Sequence, residues 1–107
     1  MGMASGIYKV RRIRRSIVIT KLPYVTKIYI NYQVLIPASL VKALNIENAL
    51  YANITIEYRG LEIEIPQVRL LRTRNTASRQ FTIPKEVREK YGISPLDEVE
   101  VLDIKPA

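Results

Sequence analysis

One stretch of this chain is written twice, and that repetition limits the folds open to it. Gln33-Val34-Leu35-Ile36-Pro37 aligns with Gln80-Phe81-Thr82-Ile83-Pro84 at an offset of 80 − 33 = 47. Carried on without gaps, the offset sets Thr26 on Thr73, Lys27 on Arg74, Leu40 on Val87 and Leu44 on Tyr91. It also sets Asn45 on Gly92, Ile46 on Ile93, Ala52 on Val99 and Ile54 on Val101. Between 26–56 and 73–103 only five positions are identical: Thr26, Gln33, Ile36, Pro37 and Ile46 with their counterparts. The physical roles agree far better than the letters do.

In each copy a short apolar, β-branched run (Val34-Leu35-Ile36, Phe81-Thr82-Ile83) reads as a strand. Pro then follows, suited to a helix start by its fixed φ and its missing N–H. Residues 38–44 and 85–91 read as two short helices, with Leu40/Leu44 and Val87/Tyr91 forming one apolar stripe each. On the outer face of the second, Lys85–Glu89 and Glu86–Lys90 are spaced for ion pairs. Asn45 and Gly92 stand where a left-handed residue ends a helix. Helices this short must pack on a sheet to persist. Asn53–Tyr58, Arg59-Gly60 and Leu61–Ile65 then alternate as a hairpin. Copy two has the matching run Asp97–Ile104 but no room for a returning strand before Ala107. An open sheet edge is an aggregation template, so Ile17–Thr20, and also Ile7–Ile13, are expected to fill the vacancy. The expected organisation is a basic arm or strand (1–20), a first repeat (21–66) and a second (67–107), the two repeats sharing one domain.

The charge is unevenly spread. Of the net +7, residues 1–60 carry all: nine Lys/Arg against two acids, whereas residues 61–107 carry eight of each. Lys9-Val10-Arg11-Arg12-Ile13-Arg14-Arg15 holds much of the excess. Such a run favours a polyanion, nucleic acid first and an anionic membrane second; a solvated tail is the plain alternative. There is no Cys and no His, which removes thiol and imidazole nucleophiles, disulfides and the commonest zinc ligands. No Gly-rich phosphate loop or metal-spaced cluster occurs. An enzyme is not expected, and neither is a cofactor. No apolar stretch reaches bilayer length and no secretion signal is read at the start, so a cytoplasmic protein is expected.

Thr73 to Ile93, with its turn Ser78-Arg79-Gln80, its Phe81-Thr82-Ile83-Pro84 strand and its basic helix closing on Gly92-Ile93, followed by Asp97-Glu98-Val99-Glu100-Val101, resembles the AbrB/MazE/SpoVT signature. The match covers about 30 residues of copy two. Copy one follows more weakly through Gln33, Ile36-Pro37, Asn45-Ile46 and its hairpin. The resemblance implies a mainly β, swapped-hairpin barrel, here built from two tandem ββαββ-type repeats in one chain as an intramolecular pseudo-dimer, with further homodimerisation open. It implies a transcriptional regulator that binds double-stranded DNA, or an antitoxin that also holds a toxin protein. The chain ends at Ala107, directly after the last strand, which lowers the toxin reading. A non-specific DNA-coating protein, or an assembly barrel whose basic arm docks a partner, completes the alternatives.

Carried over position by position, the resemblance places Arg74 on the first strand, Arg79 and Gln80 at the turn and Arg88 on the outer face of the helix. Their copy-one counterparts are Lys27, Tyr32, Gln33 and Val41, with Lys42 one residue on. Arg72 stands two residues from Arg74, on the same face if the strand runs through both. Arg11, Arg12, Arg14 and Arg15 add the arm. Copy one departs from the pattern, because Tyr29-Ile30-Asn31-Tyr32 carries no charge; the resemblance therefore implies an asymmetric DNA face. Tyr8, Tyr24, Tyr29 and Tyr32 suit base stacking but suit strand packing better. For Gln33 and Gln80 a turn hydrogen bond weighs level with base contact.

Overall fold

Both copies of the repeat fold into strand, strand, helix and strand in that order, and copy one adds a further strand. The computed structural model describes residues 18–107. Copy one contributes β1 (Tyr24–Lys27), β2 (Gln33–Ile36), α1 (Ala38–Ala43), β3 (Tyr51–Tyr58) and β4 (Leu61–Arg69). Copy two contributes β5 (Leu71–Arg72), β6 (Arg79–Thr82), α2 (Lys85–Tyr91) and β7 (Glu98–Pro106). The architecture is mainly β, with two antiparallel sheets: four strands in the order β1-β7-β3-β4 and three in the order β2-β6-β5. Neither sheet closes into a barrel.

The helix ends repeat at the level of dihedral angles. Pro37 and Pro84 both take an extended conformation (φ −60°, ψ 149° and φ −61°, ψ 151°). Each is thus the residue before the helix, and the helices begin at Ala38 and Lys85, where the sequence places their starts. Asn45 (φ 57°) and Gly92 (φ 63°) both turn left-handed, as their chemistry allows. Ile46 N–H then donates to Val41 O and Ile93 N–H to Arg88 O, closing each helix in the same way. The Lys85–Glu89 and Glu86–Lys90 spacings close no ion pair among the described residues.

Strand pairing crosses between the copies. In the β2–β6 ribbon, Gln33 faces Thr82, Val34 faces Phe81, Leu35 faces Gln80 and Ile36 faces Arg79. Shifting each residue to its counterpart 47 positions away converts the Gln33–Thr82 pair into Gln80–Leu35, which is also a pair. It returns Val34–Phe81 to itself. A local pseudo-two-fold axis therefore passes through Val34 and Phe81. β3 also pairs with β7, but there a bulge breaks the relation: Thr55 faces Asp103 and Ile56 faces Val101, leaving Leu102 as the extra residue.

The pseudo-symmetry breaks at the sheet edges. β1 lies on β7 from Tyr24–Val101 to Lys27–Glu98. Its counterpart in copy two does not lie on β3, because β4 occupies that edge through the β3–β4 hairpin. That hairpin turns on Arg59 (φ 50°) and Gly60 (φ 82°), two positive-φ residues matching the right-handed strand twist. Leu71 and Arg72 pair with Gln80 and Arg79 instead. β5 thus ends at Arg72, and Arg74 stands in the following turn; the two arginines do not share a strand face as their spacing suggests. Val18–Thr20 form no strand, so that part of the expected edge-filling segment is corrected. Ile17, Ile7–Ile13 and the basic run Lys9–Arg15 lie outside the described residues.

Between the sheets lies one apolar core. It takes Val34, Ile36, Phe81 and Ile83 from around the ribbon, Ala52, Ile54, Ile56 and Tyr58 from β3, and Val99, Val101 and Ile104 from β7. Burial in β4 switches from Ile63 and Ile65 to Val68, a change of parity absorbed at Gln67 (φ 52°), whose N–H donates to Asn53 Oδ1 at 2.8 Å. Bulges permit such a change of face within one strand. Leu40 and Val41 of α1 are buried, whereas α2 rests on the core through half-buried Val87 and Tyr91. No helix among the described residues is long and apolar enough to cross a membrane.

Candidate nucleic-acid interface

The two sheets differ in the acids that they expose. On the four-stranded sheet, Glu57, Glu62, Glu64, Glu98, Glu100 and Asp103 alternate with the buried residues and so line its outer face. Glu62, Glu57 and Glu100 stand directly opposite one another across three strands. Like charges so placed repel, and Glu57 and Glu100 border a shallow groove of about 180 Å³ with Val25, Arg59 and Glu98. The three-stranded sheet differs. No Asp or Glu occurs before Glu47 or from Ile65 to Lys85, so β2, β5, β6 and the turns leading into β2 and β6 carry none.

On the β2–β6 ribbon, Val34, Ile36, Arg79 and Phe81 point inward and are buried, while Gln33, Leu35, Gln80 and Thr82 point outward. The turn before β6 is built from hydroxyls. Thr73 Oγ1 meets Thr76 Oγ1 at 2.8 Å and also meets Ser78 Oγ. Ser78 N–H donates to Thr76 Oγ1 at 2.9 Å, and Asn75 takes φ 61°. This turn holds Arg74 outward, exposed beside exposed Arg72. The Thr-x-x-Thr-x-Ser spacing is the sequence signal for that cluster, and reading by charge alone passes over it.

The remaining expected residues divide. Arg79 is a correction: it is only 3% exposed. Its Nη1 donates to Ala77 O (2.6 Å) and Ser78 O (3.1 Å), and its Nη2 to Glu47 O (2.9 Å). The inward parity of residue 79 on β6 sends it into the fold, where it ties the turn to the loop after α1. Arg88 is half-buried rather than on an outer helix face. Its guanidinium carbon lies 4.1 Å from the Tyr32 ring centroid, and its Nε is buried without a hydrogen-bond partner. Lys27 faces Glu98 on the acidic sheet, apart from Arg72 and Arg74. Lys42 is exposed on α1, while its neighbour Val41 is buried. Arg11, Arg12, Arg14 and Arg15 lie outside the described residues, as does Tyr8.

Gln33 shows the turn-stabilising role directly. Its N–H donates to Asn31 Oδ1 (3.2 Å), its Oε1 accepts from Asn31 Nδ2 (3.1 Å) and its Nε2 points to Thr82 Oγ1 (3.5 Å). Tyr24 and Tyr32 are packing residues: the Tyr24 hydroxyl donates to Leu35 O at 2.7 Å, and burial raises its pKa well above the ordinary phenol value. A second buried phenol, Tyr58, donates to Asp97 Oδ2 at 2.5 Å. Burial, then that bond, raises its pKa. Arg59 Nη2 meets the same carboxylate oxygen at 3.0 Å, so Asp97 clasps the β3–β4 turn to the start of β7. Tyr29, by contrast, remains exposed at the tip of its turn, next to Ile30.

No protein-family model matches this chain, and neither a curated protein nor a solved structure matches it.

Proposed function

We propose that the chain binds duplex DNA as a regulator of the AbrB/MazE/SpoVT type, with the two repeats acting as a one-chain pseudo-dimer that approximates a swapped-hairpin barrel. The observation that carries this reading is the segregation of charge between the sheets. A polyanion is repelled by the six carboxylates of the four-stranded face and meets none on the three-stranded one. Pairing of β2 with β6 and of β1 with β7 supports the interleaved architecture. A two-stranded ribbon has the width to enter a major groove, and β5 adds only Leu71 and Arg72 beside β6. Arg72 and Arg74 flank it as phosphate contacts, and Lys42 extends the basic border. The arm Arg11–Arg15 adds sequence-independent affinity in the same way.

The test is a salt series of duplex affinity for the full chain. Neutralising a phosphate contact flattens the slope of log K against log salt by about 0.9. The Arg72→Ala/Arg74→Ala variant should lose nearly two units of slope and weaken binding to all sequences alike. An unaltered slope would remove these two residues from the interface. A protein partner of the toxin kind is the second reading. It is favoured by Tyr29, Ile30 and Leu96, large exposed apolar side chains gathered where Leu96 N–H donates to Ile28 O at 2.7 Å.

A further inference from the structure

We infer that Gln33 and Gln80 form a dyad-related base-reading pair, taking adenines on opposite strands of the duplex on either side of the Val34–Phe81 axis. This rests on the DNA-binding reading and adds what the protein reads there. The pair Gln33–Thr82 and the pair Leu35–Gln80 exchange under the 47-residue relation, so the two amides are placed symmetrically on the exposed face of the ribbon. They are diagonal neighbours, which sets them roughly 7–8 Å apart. Base pairs stack at about 3.4 Å, so that spacing spans about two base-pair steps. An antiparallel ribbon centred on a DNA dyad therefore presents one amide to each strand.

The chemistry of Gln33 fits one base edge. A primary amide has two donor hydrogens and two acceptor lone pairs. Asn31 Nδ2 uses one lone pair of Oε1 and Thr82 Oγ1 faces one N–H of Nε2. One donor and one acceptor remain, the set that adenine complements bidentately in the major groove, its N7 accepting and its N6–H₂ donating. The turn hydrogen bonds thus orient the amide without exhausting it, and the two readings of this residue are compatible. Gln80 has no such props at the equivalent positions. There Asn31 is replaced by Ser78, whose hydroxyl is engaged by Thr73 and Thr76, and Thr82 is replaced by Leu35. The site is pseudo-symmetric in placement and unequal in rigidity, with the sharper discrimination on the Gln33 side.

The experiment selects duplexes from a randomised pool with the full chain and measures affinity with A·T or G·C pairs at the enriched positions. The expected result is two adenine preferences on opposite strands, about two base pairs apart, each at least about fivefold and the larger on the Gln33 side. Gln33→Ala should erase one and Gln80→Ala the other. Gln33→Glu should shift one preference from adenine to cytosine, whose N4–H₂ donates to a carboxylate; circular dichroism confirms that each variant keeps its fold. Preferences that survive both alanine variants would overturn the inference while leaving the DNA-binding reading intact. A parent chain that retains no duplex at low salt would overturn both.

Discussion

Arg74 and Arg79 sit five residues apart in one basic stretch and have opposite fates. Sequence shows both as arginines near a turn. Only the parity of β6 decides that residue 79 faces inward with Phe81, and that parity depends on a strand start that charge does not mark. Arg79→Ala removes three hydrogen bonds to carbonyls and leaves those acceptors in a poorly hydrated place. It should cost about 2–4 kcal/mol in urea unfolding. Arg74→Ala should stay within about 0.5 kcal/mol of the parent in the same measurement. Equal costs would contradict their assignment to inside and surface. The two buried phenols set the alkaline limit. Tyr24 and Tyr58 have folded pKa values raised above the ordinary 10.0. The stability they confer is therefore complete below pH 10 and is lost as pH rises toward their folded values. The urea midpoint should fall above pH 10, and Tyr24→Phe should make that fall shallower while costing about 1 kcal/mol at neutral pH, through the donor lost to Leu35 O. A pH profile unchanged in Tyr24→Phe would show that this phenol does not set the limit.

Among the elements, those with local chemical signals were legible. The Pro37 and Pro84 breaks, the Asn45 and Gly92 stops and the Arg59-Gly60 hairpin all follow from backbone preferences that act within a few residues. Gly92 shows how strongly: space around it is open, so a Cβ there meets nothing, and only its φ of 63° penalises a side chain. Gly92→Ala should accordingly destabilise by about 1–2 kcal/mol, read from the shift in urea midpoint. A neutral result would mean that the second helix does not end in this geometry. What the local pattern could not show is competition for an edge. The Arg72–Arg74 spacing suits a strand, but the hairpin keeps β4 on β3, so the stretch after β4 is short and pairs with β6. For the same reason the vacancy beside β7 drew attention to Ile17–Thr20, although Val18–Thr20 do not pair there and Ile19 O instead accepts from Ser39 Oγ at 2.6 Å.

At the scale of the whole molecule, the repeat was the decisive sequence signal. It carries through to a pseudo-dyad because equivalent strands at a fixed offset can pair with each other in a self-consistent register. The candidate site was legible only in part. Gln33, Gln80, Arg72 and Arg74 converge on the three-stranded sheet and its turns, whereas Lys27 stands opposite Glu98 on the other sheet and Arg88 packs on Tyr32. The segregation of acids had no linear signature, since Glu57, Glu62 and Glu100 become neighbours only through pairing across three strands. That polarity is the core of the functional account, and it can be mapped residue by residue. Backbone amide chemical shifts of the full chain should be followed by NMR while a duplex is titrated in at low salt. The account predicts that perturbations concentrate in β2, β5, β6 and the 73–78 turn, with the outer residues of β3, β4 and β7 unmoved. Shifts centred on the Glu57–Glu62–Glu100 face, or none at all in the three-stranded sheet, would contradict it.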